Sequence, residues 1–411
     1  MNLVQVIDES IAIGQPLPFS LRDQNGTLLA RKGYVVVTRG DLDAVRGRGD
    51  GFFVDVSESE QHQKAFAGKL HALVRDERPL GKIAQVQLST GDLATRRNRN
   101  LGDELDWLDL QVQGNRLLRD LDGAHFTDDL DRLQKRLEQQ TERNPDGALF
   151  ALFHLASSEI QLYSVTHSML VSVMCALAAR DVLGWPQHLV DGVCKAALTM
   201  NVAMTELQDR LAAQNDPPTA AQRELIDQHP RRSQALLRRL GLQDALCLEA
   251  VGAHHSTAPG ALATRTDGQR MARLLQRADQ FAAHLAPRSS RRPDTASAAM
   301  QAVYFDEQRA IDEAGAALIK AVGVYSPGSL VRLANQEIGV VVRRGANTTM
   351  PRVAILVNRD GIPMGEHPVR DTSMRELRII SGVATGDCKV NIQLDRMLAL
   401  TGGPAPSGRA W

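Results

Sequence analysis

The chain has no excess of either charge. Its 48 Lys and Arg residues balance 48 Asp and Glu across 411 residues, giving a formal net charge of zero. Nothing therefore steers the whole molecule toward nucleic acid or an anionic membrane, and no DNA or RNA partner is expected. Cysteine is scarce. Cys175, Cys194, Cys247 and Cys388 are scattered without a CxxC pair, and three of them lie in apolar helical text where a reduced, buried thiol is the expectation. That usage fits the cytoplasm. No run approaches the roughly 18 unbroken apolar residues of a membrane span. Residues 1–14 carry acids and no basic stretch, which argues against a signal peptide. The expectation is a chain neither exported nor embedded. Internal repeats are lacking too: the alanine-rich runs at 176–179 and 296–299 are helix formers in close-packed positions.

What is present is apolar mass. A hydrophobic content of 43% can bury a large core, and the length suggests two or three domains. Residues 1–56 read as a β-rich module, with two extended apolar runs around Asn25-Gly26, a hairpin signal. Residues 57–144 read as a helical linker region interrupted by a polar, basic break at 95–100 (TRRNRN); its stretch 61–75 could pair two copies of the chain as a homodimer. Apolar spacing at i, i+3 and i+4 returns at Leu101 and persists to about Val322, predicting seven or eight helices, with the main helical domain at 145–325. Residues 326–371 alternate again, with turns at Asn335-Gln336 and Asp360-Gly361, which predicts a three-stranded sheet. Residues 372–411 form a C-terminal segment whose Gly-, Pro- and Ser-rich end should be a disordered tail. The fold class expected is mainly α: a helical bundle with a small N-terminal β-rich module and a short C-terminal β extension.

The chemistry sits in the helical part. His167 begins one helix, His229-Pro230 ends another and starts the next, His254-His255 closes a third, and Asp279 lies on a further one. Any one of these is more often a core or surface residue than a ligand. Four helices can nonetheless aim imidazole and carboxylate groups at one point inside a bundle, where an unpaired polar group is costly. Two arrangements remain open. One holds a single metal ion among His167, His229, His254, His255 and Asp279. The other is a hydrogen-bonded polar knot that fixes each histidine as one tautomer.

These blocks resemble the HD-GYP family, a branch of the HD phosphohydrolases that includes bacterial cyclic di-GMP phosphodiesterases. The likeness is carried by YSVTHSM at 163–169, AALTMNVAMTELQDRL at 196–211, HPRRSQALL at 229–237, AVGAHHS at 250–256 and LLQRADQFAAHLAPR at 274–288. VGVYSPGSLVRLANQEIGVVVRR at 322–344 resembles the extension that follows the family's catalytic core, and the text at 14–49 resembles its leader. The resemblance implies an HD-domain-like bundle over roughly 145–371.

It also exposes departures. Where the family reads His-Asp and then Gly-Lys, this chain has Met200, Asn201, Ala203 and Met204. The implied bridging carboxylate becomes a neutral amide, the neighbouring imidazole a thioether, and the phosphate-binding lysine an uncharged side chain. After His254-His255 the family's Glu and Gly-Tyr-Pro loop are replaced by Ser256 and TAPGALATR. A two-metal hydrolase activates water between its cations, and losing several parts that act as a unit leaves little activity. The resemblance with its departures thus implies a non-catalytic bacterial signalling protein with no confident catalytic residue. It would bind a protein partner or cyclic di-GMP itself, and hold no cofactor or one residual divalent ion, Fe or Mn, rather than a dinuclear centre. The alternative is a slow phosphodiesterase with an altered metal site. Two basic features stand apart: Arg231-Arg232 with Arg238-Arg239, which a solvated face or an anion would explain, and Arg288, Arg291 and Arg292 beside a loop. No cofactor box and no kinase, receiver or cyclase motif marks an input signal.

Overall fold

The computed structural model describes residues 3–6, 11, 17, 19–24, 28–31, 34–36, 42, 51–55, 107–121, 125–158, 162–257, 260–285, 296–384, 388, 390 and 392–402. The break at 95–100, the segment 61–75, Asn25-Gly26, the arginines at 288, 291 and 292 and the last nine residues lie outside them. The chain divides into two compact units, Met1–Val112 and Gln113–Trp411.

In the first unit, β1 (Leu3–Val6), β2 (Leu21–Arg22), β3 (Leu28–Ala30) and β4 (Phe52–Asp55) form an antiparallel sheet of order β1-β4-β2-β3. Strand side chains alternate between faces. Phe19 and Leu21 are accordingly fully buried while Ser20 and Arg22 between and beside them are not, and Val36, Phe52 and Val54 complete the core. A helix, α1 (Trp107–Arg119), straddles the division.

The second unit is mainly helical. Its helices are α2 (Phe126–Arg143), α3 (Pro145–Ser158), α4 (Tyr163–Leu177), α5 (Gln187–Thr199), α6 (Thr205–Ala213), α7 (Ala220–Arg239), α8 (Ala245–Ala253), α9 (Asp267–Leu285), α10 (Ala296–Tyr304) and α11 (Glu313–Val322). With α1 these make eleven among the described residues of 101–322, where seven or eight were expected. Nine-residue helices such as α6, α8 and α10 have too few turns to show a period in sequence. Local chemistry starts several of them. Thr219 and Gln222 form a reciprocal capping box on α7. Asp244 accepts from the Cys247 amide before α8, and Asp312 accepts from the Gly315 amide before α11.

All 15 residues of α4 are buried, and the helix runs on as a π turn, Ala178–Val182. The span Tyr163–Val182 is long and apolar enough to cross a membrane, yet 83% of its apolar window is packed inside the protein, which makes it the bundle's central helix. It packs against α3, α5, α9 and α11, while α8 packs against α5, α7 and α9. The four cysteines are free thiols, three of them buried.

The C-terminal sheet has five strands rather than three. β5 (Leu330–Leu333), β6 (Ile338–Arg343), β7 (Arg352–Val357), β8 (Val369–Asp371) and β9 (Ile379–Gly382) are antiparallel in the order β8-β7-β6-β5-β9. Alternation sends Val340, Val342, Ala354 and Leu356 to one apolar core with Phe150 of α3, and Val341, Val353 and Ile355 to a second core on the other face. β8 and β9 escaped the sequence because they lack that alternation: Ile380 stays 47% exposed. Residues 394–401 of the C-terminal segment precede the tail expected at 402–411. They form a helix, α12 (Leu394–Thr401), whose Met397 is fully buried and whose Thr401 accepts a 2.8 Å hydrogen bond from the Asn144 amide.

Candidate metal centre

His229 lies in the middle of α7. Pro230 does not break this helix, contrary to the sequence reading, but runs inside it. In an α-helix the amide at position 230 would bond the carbonyl of Ile226, and proline has no N–H to give. That freed carbonyl accepts from His229 Nδ1 instead. A parallel device fixes His254. It caps the C-terminus of α8, where the last carbonyls have no helical partner. Its Nδ1 donates to the Val251 carbonyl at 2.7 Å.

With both Nδ1 atoms acting as donors, each neutral ring is left with a bare lone pair on Nε2. The two Nε2 atoms face each other at 3.1 Å. Two imidazoles bound to one ion at about 2.2 Å and 90° would stand ~3.1 Å apart, so the spacing is that of adjacent ligands. Without a cation or proton between them the lone pairs repel. Burial is the main reason a proton is a poor answer: it pushes His254 down to about 3, with His255 adding to the effect, and it lowers His229 as well. A metal cation is the better occupant. Anchoring the far ring nitrogen on a backbone carbonyl is also how metal-binding histidines are usually oriented.

His255 completes this group. The ligand atoms of His229, His254 and His255 all lie within 4.8 Å of one another. Both of its neighbours are buried, whereas His255 is exposed and opens the cluster to solvent.

His167 and Asp279 form a separate pair. His167, on α4, is buried and bonds Asp279 of α9 through Nε2 at 2.7 Å, with its ring stacked on Tyr163 one turn earlier. Burial pushes the Asp279 carboxyl up, but the His167 bond and charge, with His254 and His255, outweigh it and hold the group well below its ordinary value. Its negative charge reaches His229 and His254. The structure therefore gathers three of the five residues into one ligand-like group and sets the other two beside it as a hydrogen-bonded dyad.

Met200 caps the C-terminus of α5 and is fully buried, and Asn201 is 8% exposed. The turn that follows is fastened to α7: the Ala203 amide donates to Ser233 Oγ at 3.2 Å. Ser233 stands one turn after His229 on the same helix face, so the turn carrying Met200, Asn201 and Met204 lies against the histidine side of α7. No carboxylate belongs to the three-histidine group among the described residues. The three imidazoles form a donor set of the kind that can hold a divalent ion.

Sequence reasoning missed Ser233, which appeared only as a letter in HPRRS. The orienting carbonyls of Ile226 and Val251 had a usable signal: a proline directly after one histidine, and a helix end directly before the other.

A cyclic di-GMP phosphodiesterase of Pseudomonas aeruginosa is 26% identical to this chain over 260 residues, 61% of the chain and 60% of that protein. The chain is thus similar in sequence to a protein of the kind that the HD-GYP resemblance implies. It spans about 60% of the length of that phosphodiesterase. No family model matches it. A solved HD-GYP-type protein of Bdellovibrio bacteriovorus aligns with 78% of this chain and 99% of its own at 13% identity, with a TM-score of 0.37. The structure itself is mainly α with small β sheets.

Proposed function

We propose that this HD-GYP relative is a non-catalytic cytoplasmic signalling protein of cyclic di-GMP related regulation, whose degenerate domain, residues 145–325, acts by binding a protein partner or the nucleotide. The observation that carries this reading is the pair Met200 and Asn201 on the turn fastened to the histidine side of α7. An aspartate there could share two anionic oxygens between cations, and asparagine offers one neutral carbonyl. Thioether sulfur is a poor ligand for Fe or Mn, and Met204 brings no positive charge to a phosphate. His229, His254 and His255 would hold at most one divalent ion. Such an ion would supply local positive charge for an anionic ligand, while the His167–Asp279 dyad keeps a carboxylate ionised beside it.

A second reading has one observation in its favour. The facing Nε2 lone pairs of His229 and His254 retain the form of a working ligand pair, which supports slow phosphodiester hydrolysis at an altered metal site.

Anaerobically purified protein supplemented with Fe or Mn is incubated with cyclic di-GMP, and linear dinucleotide and GMP are followed by chromatography. No product above a His254→Ala control, with gain of product in Met200→His/Asn201→Asp, is the expected result. Wild-type turnover above that control would sink the non-catalytic reading and support the second.

A further inference from the structure

A cleft of about 530 Å³ opens between α7 and α8, lined in part by Arg231, Gln234, Arg238, Glu249 and Gly252. Its volume is within the range of roughly 300–1,000 Å³ typical of small-ligand sites. Arg231 follows His229 by two positions on α7, about 200° around the helix, so on α7 the cleft uses the face opposite His229, while on α8 its lining runs to Ala253, next to His254. Arg231 and Arg238 are seven residues apart and share one face, ~10.5 Å along the axis. Both are exposed, and neither guanidinium makes an ion pair or hydrogen bond among the described residues.

Some other arginines of this unit are engaged, Arg273 and Arg277 with Asp312, Arg344 with Asp146, and Arg370 with Glu337, whereas the exposed Arg232 and Arg239 are not among the described residues. The cleft does contain an acid, Glu249, but its carboxylate is turned toward the start of α9. It accepts from Thr266 Oγ1 at 3.3 Å and occupies the space a side chain at position 268 would need, 2.1 Å from an ideal Cβ on Gly268. A carboxylate is favourable at a helix N-terminus. The two guanidinium charges are thus not neutralised by a contact within the cleft. Gln234 forms part of the floor. Its Nε2 donates to the Leu248 carbonyl at 2.8 Å and lies 2.7 Å from where a Cβ on Gly252 would be. Its Oε1 accepts no hydrogen bond among the described residues and is free to meet a ligand donor.

We propose that this cleft binds a small phosphate ester bearing hydrogen-bond donors, of the size and kind of a nucleoside monophosphate. The phosphoryl oxygens sit between Arg231 and Arg238, because a guanidinium fork pairs two donors with two oxygens of a tetrahedral anion. An N–H or O–H of the remainder donates to Gln234 Oε1.

The test is isothermal titration calorimetry of the full chain, treated with chelator, against adenosine 5′-monophosphate and inorganic phosphate. Wild type is expected to show one saturable nucleotide site, at least tenfold tighter than for inorganic phosphate. Arg231→Gln/Arg238→Gln should weaken it at least tenfold, and Arg232→Gln/Arg239→Gln, exposed on the same helix, should leave it unchanged. Circular dichroism checks that both variants remain folded. Gly252→Ala, which displaces Gln234, should weaken the nucleotide and leave phosphate alone unaffected. Absence of saturable wild-type binding, or equal losses in the two arginine pairs, overturns the site. Equal affinity for phosphate and nucleotide overturns the assignment of an ester.

Discussion

His229 and His254 point Nε2 at Nε2 across 3.1 Å, and each ring is held there by a carbonyl its own helix has released. Proline frees the first carbonyl and a helix end frees the second. Backbone interruptions therefore preorganise the pair, and the two imidazoles need no further ligand on the turn that carries Met200 and Asn201 to stay in place.

That preorganisation predicts metal binding without a second ion. Equilibrium dialysis against Mn or Fe, with metal counted by elemental analysis, should give close to one ion per chain. His254→Ala should abolish it, because the remaining His229 and His255 are too few to hold an ion in competition with water. Two ions per chain in the wild type would refute the single-site account.

Pro230→Ala should move stability and metal affinity in opposite directions. Alanine restores an N–H to the Ile226 carbonyl and removes a residue unfavourable in a helix interior by about 3 kcal/mol. The restored bond competes with His229 Nδ1 for the same oxygen. Losing such an outer contact typically reduces metal affinity about 10–100-fold. Thermal unfolding of the chelated protein should therefore rise while metal affinity falls. A fall in both would show that Pro230 serves packing alone.

Stability of the chelated protein should fall on mild acidification. Burial first, then His255, push His254 down to about 3, and His229 is lowered by burial as well. Unfolded histidine titrates near 6.5. Below about pH 6.5 the unfolded chain thus takes up protons the folded one refuses, and the stability present above that pH is lost progressively toward pH 3. The slope is at most about 1.4 kcal/mol per pH unit for each histidine. Asp279, held low by His167, remains charged across this window. Urea midpoints from pH 7.5 to 4.5 should decline more gently in His254→Phe; identical profiles would refute the assignment.

The positions that were legible in the sequence share a property: their signal is local or periodic. His254 and His255 adjoin a helix end, and β6 and β7 alternate cleanly between two apolar cores. Pro230 misled because its usual consequence is a break, and only the three-dimensional position of the His229 ring shows what the missing N–H is for. β8 and β9 were invisible because their pairing comes from the neighbouring strand rather than from their own pattern. The division of the five site residues into a trio and a dyad depends on angles between helices that no spacing encodes.

The ion network behind the site was illegible for the same reason, and it gives the sharpest stability prediction. Arg273 and Arg277, one turn apart on α9, meet Asp312 from 39 and 35 residues away, with side chains only 5%, 3% and 6% exposed. Asp312 Oδ2 takes both guanidiniums while Oδ1 holds the Gly315 amide at the start of α11. Exposed Glu307 supplies further contacts to both arginines from the rim. Surface pairs contribute about 0–1 kcal/mol, but removing one partner of a buried pair leaves a charge without compensation and costs roughly 3–5 kcal/mol. Asp312→Ala should show that loss plus about 1 kcal/mol for the cap. Asp312→Asn keeps an oxygen for Gly315 and should lose the charge contribution alone. Urea denaturation of both separates the effects. A loss in Asp312→Ala no larger than a cap is worth would mean that Glu307 and water compensate the two arginines, and that the network does not anchor α9, the helix that carries Asp279, to α11.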